Sequence, residues 1–308
     1  MRALILICIV LNTALLSCNL KNDNTTANNT NEELNQIECP STVEVFIDTL
    51  YQNEIFRGTF SPDGKTFYFF QKVTKNQEDY RIFYSTLKEG NWSNPKWLDL
   101  GGEHSDLYPA ISKDGTRLVF SSYRPVPSKY ENNESKNAHL WYSDFENGQW
   151  GEPVFMADAN EIGYYHSWVE FGWDDNIYFR KISPDWRNSE TLFTQWDGSK
   201  YIEPQTFGDI EILKKKNPDI IIAGGSPGPD TSTIFLDVAT IDSLSGKRGS
   251  DIWISRKSNQ EWQDPIPIGG GVNKEGYDVF PFMSPSKDCL YFVRDFETFY
   301  HIAYDQVI

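Results

Sequence analysis

The chain has 308 residues, 15% of them aromatic with ten tryptophans, and its 21 glycines and 16 prolines are scattered rather than clustered. That mixture predicts many short strands joined by turns, not a helical bundle or a disordered chain. A formal charge of -16 repels nucleic-acid phosphates and argues against a DNA or RNA partner, although an acidic surface also serves plain solubility.

The first segment is an apolar run, Ala3 to Leu16, behind Arg2 and broken only by Asn12 and Thr13. It is short for a membrane span and has the length of the apolar stretch of a secretory signal. It ends in Leu15-Leu16-Ser17-Cys18, which resembles the lipobox of bacterial lipoproteins. The resemblance implies cleavage after residue 17, lipidation of Cys18, and a mature charge of -17 once Arg2 is lost. An ordinary signal followed by a chance cysteine is the alternative. Residues 19–36, NLKNDNTTANNTNEELNQ, hold too few apolar groups to fold and are expected to form a flexible tether. A single folded domain is then expected over 37–308. No acidic cluster of the kind that marks surface export in some bacteria follows Cys18. The expected location is therefore the outer membrane, facing the periplasm, with the lipid as the only membrane contact.

From residue 54 onward three features recur in fixed order. A hairpin opener appears as FSPDGKTFYFF at 60–70, ISKDGTRLVFSS at 111–122 and MSPSKDCLYFV at 283–293, with degenerate copies FGWDDNIYFRK at 171–181 and KNPDIIIAGG at 216–225. A short aromatic strand follows: IFYS at 82, LWYS at 140, LFTQ at 192, IWIS at 252 and IAYD at 302, rising by 58, 52, 60 and 50 residues. Last comes Trp or Tyr three residues before Pro, as in WSNP (92–95), WGEP (150–153), YIEP (201–204) and WQDP (262–265). Ser-Pro-Asp-Gly is turn chemistry: Pro presets its φ, Asp caps amides and Gly supplies a positive φ. Pro in the last feature suits an outer strand, where a missing N–H costs little. Each repeat reads as four antiparallel strands, the unit of a propeller blade.

These motifs resemble the WD-like Pro-Asp repeats of the TolB-type β-propellers over residues 40–308, closely in the first, second and last repeats and weakly in the third and fourth. The resemblance implies an all-β propeller of four-stranded blades. TolB itself carries a further N-terminal domain that has no counterpart here, so its envelope role does not transfer. The fifth repeat lacks its outer strand, and Pro40–Phe46 reads as that strand, donated from the other end to close the ring and remove exposed sheet edges. Five blades are expected; a degenerate sixth has room in 208–250. Cys39 precedes the donated strand and Cys289 begins the second strand of the same blade, at the same end. A Cys39–Cys289 disulfide is one expectation outside the cytoplasm, and two buried free thiols are the other.

Motifs for a catalytic serine elbow, a phosphate loop, a zinc-binding His pair or a dinucleotide cradle are missing. Candidate site residues lie instead in the loops leading into each blade. They are Glu54, Asp106 aligned with Asp278, His166 with Glu170, and Asp209 with Glu211. A ring of such carboxylates can hold a cation, a sugar or a cationic ligand, or perform paired-carboxylate hydrolysis; each acid can equally cap its own blade. His104 and His166 are candidate metal ligands beside those acids. Tyr108 and Trp168, with Tyr164, Tyr165 and Trp173, can stack on a sugar or anchor a protein, or simply fill the core. The function expected is non-catalytic binding of an envelope protein or glycan at the channel mouth by a monomer that needs no cofactor, a divalent cation being the exception left open. The alternative is a saccharide hydrolase or lyase using the same acids.

Overall fold

The computed structural model describes residues 39–46, 55–74, 79–130, 137–241, 246 and 248–307. Five antiparallel sheets form the blades. Blade one runs Ile55–Phe60, Thr66–Lys72 and Tyr80–Lys88, then an outer strand in two pieces, Asn91–Trp92 and Lys96–Trp97. The first strands of the other blades are Asp106–Ile111, Tyr165–Phe171, Ile221–Pro227 and Asp278–Met283. These first strands line the axis, where those of blades one, two and three pack against one another and blade five packs on blade one.

The repeated motifs account for this geometry. In the hairpin openers the Ser61 hydroxyl donates to Asp63 at 2.6 Å, and Ser112 donates to Asp114 at 2.6 Å. Gly64 and Gly115 hold φ values of 68° and 74°, a region that costs residues with a Cβ. Proline interrupts the outer strand of blades one, two and four and precedes that of blade three, since it has no N–H for the ladder. A hydroxyl from the third strand seals the gap. Ser85 donates to the Ser93 carbonyl at 2.6 Å, Ser143 to Gly151 at 2.7 Å, Thr194 to Ile202 at 2.6 Å and Ser255 to Gln263 at 2.6 Å. A Ser or Thr at or next to the end of the short aromatic strand is therefore part of the first four repeats.

The ring closes through the N-terminal segment. Glu44 and Val45 pair with His301 and Tyr300 as the fourth strand of blade five. Phe46 then drops between blades five and one, with ring centroids 4.8 Å from Tyr291 and 5.3 Å from Phe67. Cys39 and Cys289 are joined in a disulfide that clasps the same blade.

Two features depart from the sequence reading. The room for a sixth blade in 208–250 is taken, among the described residues, by helix α1 (Gly208–Lys216) and strands of blade four. The helix forms because Ile210 and Leu213 share one face and pack on Ile222 and Leu236, while Lys214–Lys216 suit its C-terminal end. Asn217 caps that helix, so the NPD of 217–219 leads into blade four's first strand rather than forming its hairpin turn; Gly228 and Thr233 close that turn instead. Among the described residues no helix is long and apolar enough to cross a membrane.

Candidate functional site

Every first strand carries a β-bulge, between Ile55/Gly58, Leu107/Ala110, Ser167/Glu170, Ile222/Gly224 and Val279/Phe282. An extra residue at this point turns the strand and redirects a side chain. In blades two, three and five the turned residue is aromatic and in the left-handed region: Tyr108 (φ 52°), Trp168 (φ 55°) and Phe280 (φ 57°). Such backbone is costly for bulky residues and persists only where packing enforces it. The three rings meet. Trp168 donates its indole N–H to the Tyr108 hydroxyl at 3.0 Å, and Phe280 sits edge-on to Trp168 at 5.3 Å. Burial pushes the Tyr108 hydroxyl up to about 12, so it stays a neutral donor and acceptor.

Next to this plug lies a buried group of alternating charges. Arg57, 3% exposed, places Nη2 2.5 Å from Glu170 Oε2. The Arg180 guanidinium stacks 3.7 Å over the Trp168 ring, donates to Ser189 at 2.7 Å and to the Ala223 carbonyl. Gly224 gives it room, since a Cβ there would lie 3.0 Å from the guanidinium carbon. Asp237 completes the set at 5% exposure. Burial raises the Glu170 and Asp237 carboxyls against the pull of the arginines, and pushes Arg180 down to about 10. Two cations and two carboxylates leave this group close to neutral when all are ionised.

A cavity of about 310 Å³ opens beyond the bulge, at the hairpin-turn face of the ring. All five first strands or the turns that follow them contribute to its wall, and Arg57 and Glu170 are its buried charged groups. Phe60, Phe171, Trp173 and Phe282 give it an apolar body, and Lys113 stands at the rim. Lys113 donates to the Trp173 carbonyl and pairs with Asp175 at 3.2 Å, while Lys287 lies 4.3 Å over the Trp173 ring. The size is at the lower end of the roughly 300–1,000 Å³ usual for small-molecule sites.

The residues singled out in the sequence fall at different heights along the axis. Asp106, His166 and Asp278 occupy one register position at the start of their strands, opposite Ser122, Lys181 and Arg294. Glu170 lies four residues further on, past the bulge, in the cavity wall. Asp106 pairs with Arg124, whose other arm donates to the Leu100 and Gly101 carbonyls at 3.0 and 2.9 Å. Asp278 accepts from Arg294 at 2.8 Å, and that arginine donates to the Val272 carbonyl at 2.6 Å. Each carboxylate thus orients an arginine that ties down its own lead-in loop. Asp278 also accepts the Lys274 amide at 2.8 Å. Tyr108 and Trp168 form the plug, and Trp173 forms part of the cavity wall. Asp209 and Glu211 ride on α1 and pair with Lys257 and Lys214 at 3.3 and 2.8 Å. Glu54 and Cys18 lie outside the described residues.

Asp106→Asn is expected to cost roughly 2 kcal/mol, because it leaves the buried Arg124 without its counter-charge, with the cavity unchanged. Urea unfolding checks the loss.

His104 and His166 are not gathered with acids into a ligand set. Among the described residues the one cluster of three potential ligating groups is Cys39, Asp288 and Cys289, where both sulfurs are already bonded to each other. His166 is 1% exposed, accepts the Glu161 amide at 3.2 Å, and faces His139 with ring centroids 5.5 Å apart. Burial drives His166 down to about 3, and His139 and His301 down to about 4. Their folded values lie below the ordinary 6.5, so the unfolded chain binds protons first. Stability from these groups is therefore complete above pH 6.5 and is lost as pH falls through 6.5 toward 4. The raised Glu170, Asp237, Asp106 and Asp278 carboxyls act in the opposite sense at the acid end. A net loss on the order of 2 kcal/mol between pH 7 and 5 is expected, read from urea midpoints at constant slope.

Arg57, Arg180 and Asp237 are the site residues that motif reading misses. Each is a charged residue inside an apolar strand run, IFRGTF, IYFRKI and TIFLDVATI. A buried charge is retained only with a partner, and that is the signal they carry.

No protein-family model and no curated protein matches the chain. Solved structures do. An endo-arabinase from Bacteroides thetaiotaomicron is 13% identical with a TM-score of 0.46, covering 86% of this chain and 96% of that one. A gluconolactonase from Xanthomonas campestris is 11% identical with a TM-score of 0.46 and the same coverages, 86% and 96%. A Hadza microbial sialidase is 11% identical with a TM-score of 0.44; the match covers 87% of this chain and only 66% of the sialidase. The five-bladed ring rests on the strand pairing above and not on these likenesses.

Proposed function

We propose that this protein is a lipid-anchored, extracytoplasmic propeller of the TolB-type Pro-Asp repeat group that binds a neutral saccharide in its axial cavity without turning it over. The observation that carries the reading is the Arg57–Glu170 pair, the buried charged groups of a largely apolar cavity walled by all five blades. A guanidinium beside a carboxylate offers donors and acceptors side by side, with no net charge to attract an ion. Hydroxyl groups on adjacent carbons match that pattern, accepting from one and donating to the other. The C–H face of a sugar ring suits the Trp173 and phenylalanine walls. The cavity takes a small ligand rather than a protein face, which favours glycan over protein as the envelope partner. Such binding calls for no cofactor.

The disulfide at Cys39–Cys289 supports an oxidising compartment, in keeping with export and lipidation at Cys18. Among the described residues lining the cavity Glu170 is the sole carboxylate, whereas the usual routes of glycoside hydrolysis use two. Binding is for that reason preferred to hydrolysis.

Calorimetric titration with glucose, arabinose, galactose, glucosamine and their dimers tests the proposal. Binding to at least one sugar is expected, weakened at least tenfold by Trp173→Ala, with the ligand recovered intact by chromatography. Cleaved product would replace the reading with the hydrolase alternative, and no heat with any sugar would remove it.

A further inference from the structure

A second cavity of about 160 Å³ lies between blades three and four on the same face, and Trp173 and Pro227 line both cavities. The two cavities therefore adjoin at Trp173 and Pro227. Its surface is built for contact with a ring. Tyr178 and Phe207 meet edge-to-face at 4.8 Å, and Trp262 lies beneath Lys257 with the ammonium 4.6 Å from its ring centroid. Trp262 is 5% exposed, and its indole N–H has no hydrogen-bond partner among the described residues. A buried donor left without an acceptor is costly, and Trp262 is one of the residues that line this cavity.

Charge narrows the choice. Asp174, Asp209 and Asp230 line this cavity against the single cation Lys257. Asp209 is paired with Lys257 at 3.3 Å, while Asp174 accepts from Tyr178 and Asp230 accepts from Ser232, each at 2.8 Å. The latter two contacts add no positive charge. Lys287, over the Trp173 ring and within electrostatic reach of Asp230, offsets one more of these charges. The three carboxylates still outnumber the two lysines, which disfavours carboxylates and favours uncharged or amine-bearing groups.

We infer that the two cavities are adjoining positions for one saccharide chain of at least two units, with Trp173 as the shared platform, and that the second position accepts a neutral or amino sugar and rejects a uronic acid. This rests on the saccharide reading of the axial cavity. The added unit gains contacts without a second loss of overall translational freedom, as in any linked pair of sites.

The test titrates the folded protein with glucose, cellobiose, the β-1,4 dimer of glucosamine and digalacturonate. Cellobiose and the glucosamine dimer are expected to bind at least tenfold tighter than glucose, and digalacturonate at least tenfold weaker than cellobiose. Thr231→Trp, at an exposed turn position in the second cavity's wall, fills that cavity. It is expected to remove the dimer's advantage while glucose binds as before. An advantage missing from the wild type, retained in Thr231→Trp, or shared equally by digalacturonate overturns the inference with the axial reading intact. Absence of binding by every sugar in this set and by arabinose and galactose overturns both.

Discussion

Arg57→Met is expected to lower the folding free energy by about 3–5 kcal/mol, and adding Glu170→Leu to restore most of it. The single change strands a carboxylate in a site where burial already raises its pKa, and an uncompensated buried charge is among the costliest defects a fold can carry. Replacing both partners by apolar side chains of similar volume removes the charge instead, which is often neutral or stabilising. The neighbouring Asp237 loses the pull of Arg57 but keeps that of Arg180. Urea unfolding of the wild type, both single variants and the double variant gives the coupling. Additive losses would mean that the two groups do not share a buried pair. The double variant is expected to keep the fold and lose the ligand, so that site and stability separate.

Removing the disulfide by Cys39→Ala with Cys289→Ala is expected to cost roughly 4–5 kcal/mol. The bond joins residues 250 apart in sequence, so it constrains nearly the whole unfolded chain, and the loop-entropy estimate is near the top of the observed range. The same bond holds the segment that delivers Glu44, Val45 and Phe46 to blade five. Without it, the donated strand is expected to fray away and leave the third strand of that blade as an unpaired edge, and aggregation should accompany the loss. A fall in the urea midpoint on adding a reductant to the wild type, with none in the double variant, checks the assignment. An unchanged wild-type midpoint under full reduction would contradict it.

The ring was legible because repetition multiplies weak signals. One Ser-Pro-Asp-Gly is a turn; its spaced copies, each followed by a short aromatic strand and a Trp-x-x-Pro, fix a blade. The donated strand followed from the outer strand missing after IAYD. Helix α1 was not legible, since its nine residues carry only two buried apolar positions and sit in what read as the lead-in loop before the 216–225 opener. The site was legible only in part, and the reason is the bulge. Sequence alignment brings His166 and Glu170 into one motif, but the bulged strand carries them to opposite sides of the aromatic plug. Asp106 and Asp278 align because both hold arginines, Arg124 and Arg294, that lie across the hairpin 18 and 16 residues away. At that shared position each carboxylate is taken up by its arginine. Arg57, Arg180 and Asp237 belong to no repeated motif, and their meeting at the axis depends on ring closure.

The most direct test titrates the best-bound sugar into the wild type, Asp106→Asn and Arg57→Met/Glu170→Leu, each shown folded by its unfolding transition. The axial-cavity account predicts equal affinity for the first two and no measurable binding by the third. Binding retained by the double variant, or lost on Asp106→Asn, would contradict it and return the site to the lead-in side of the ring.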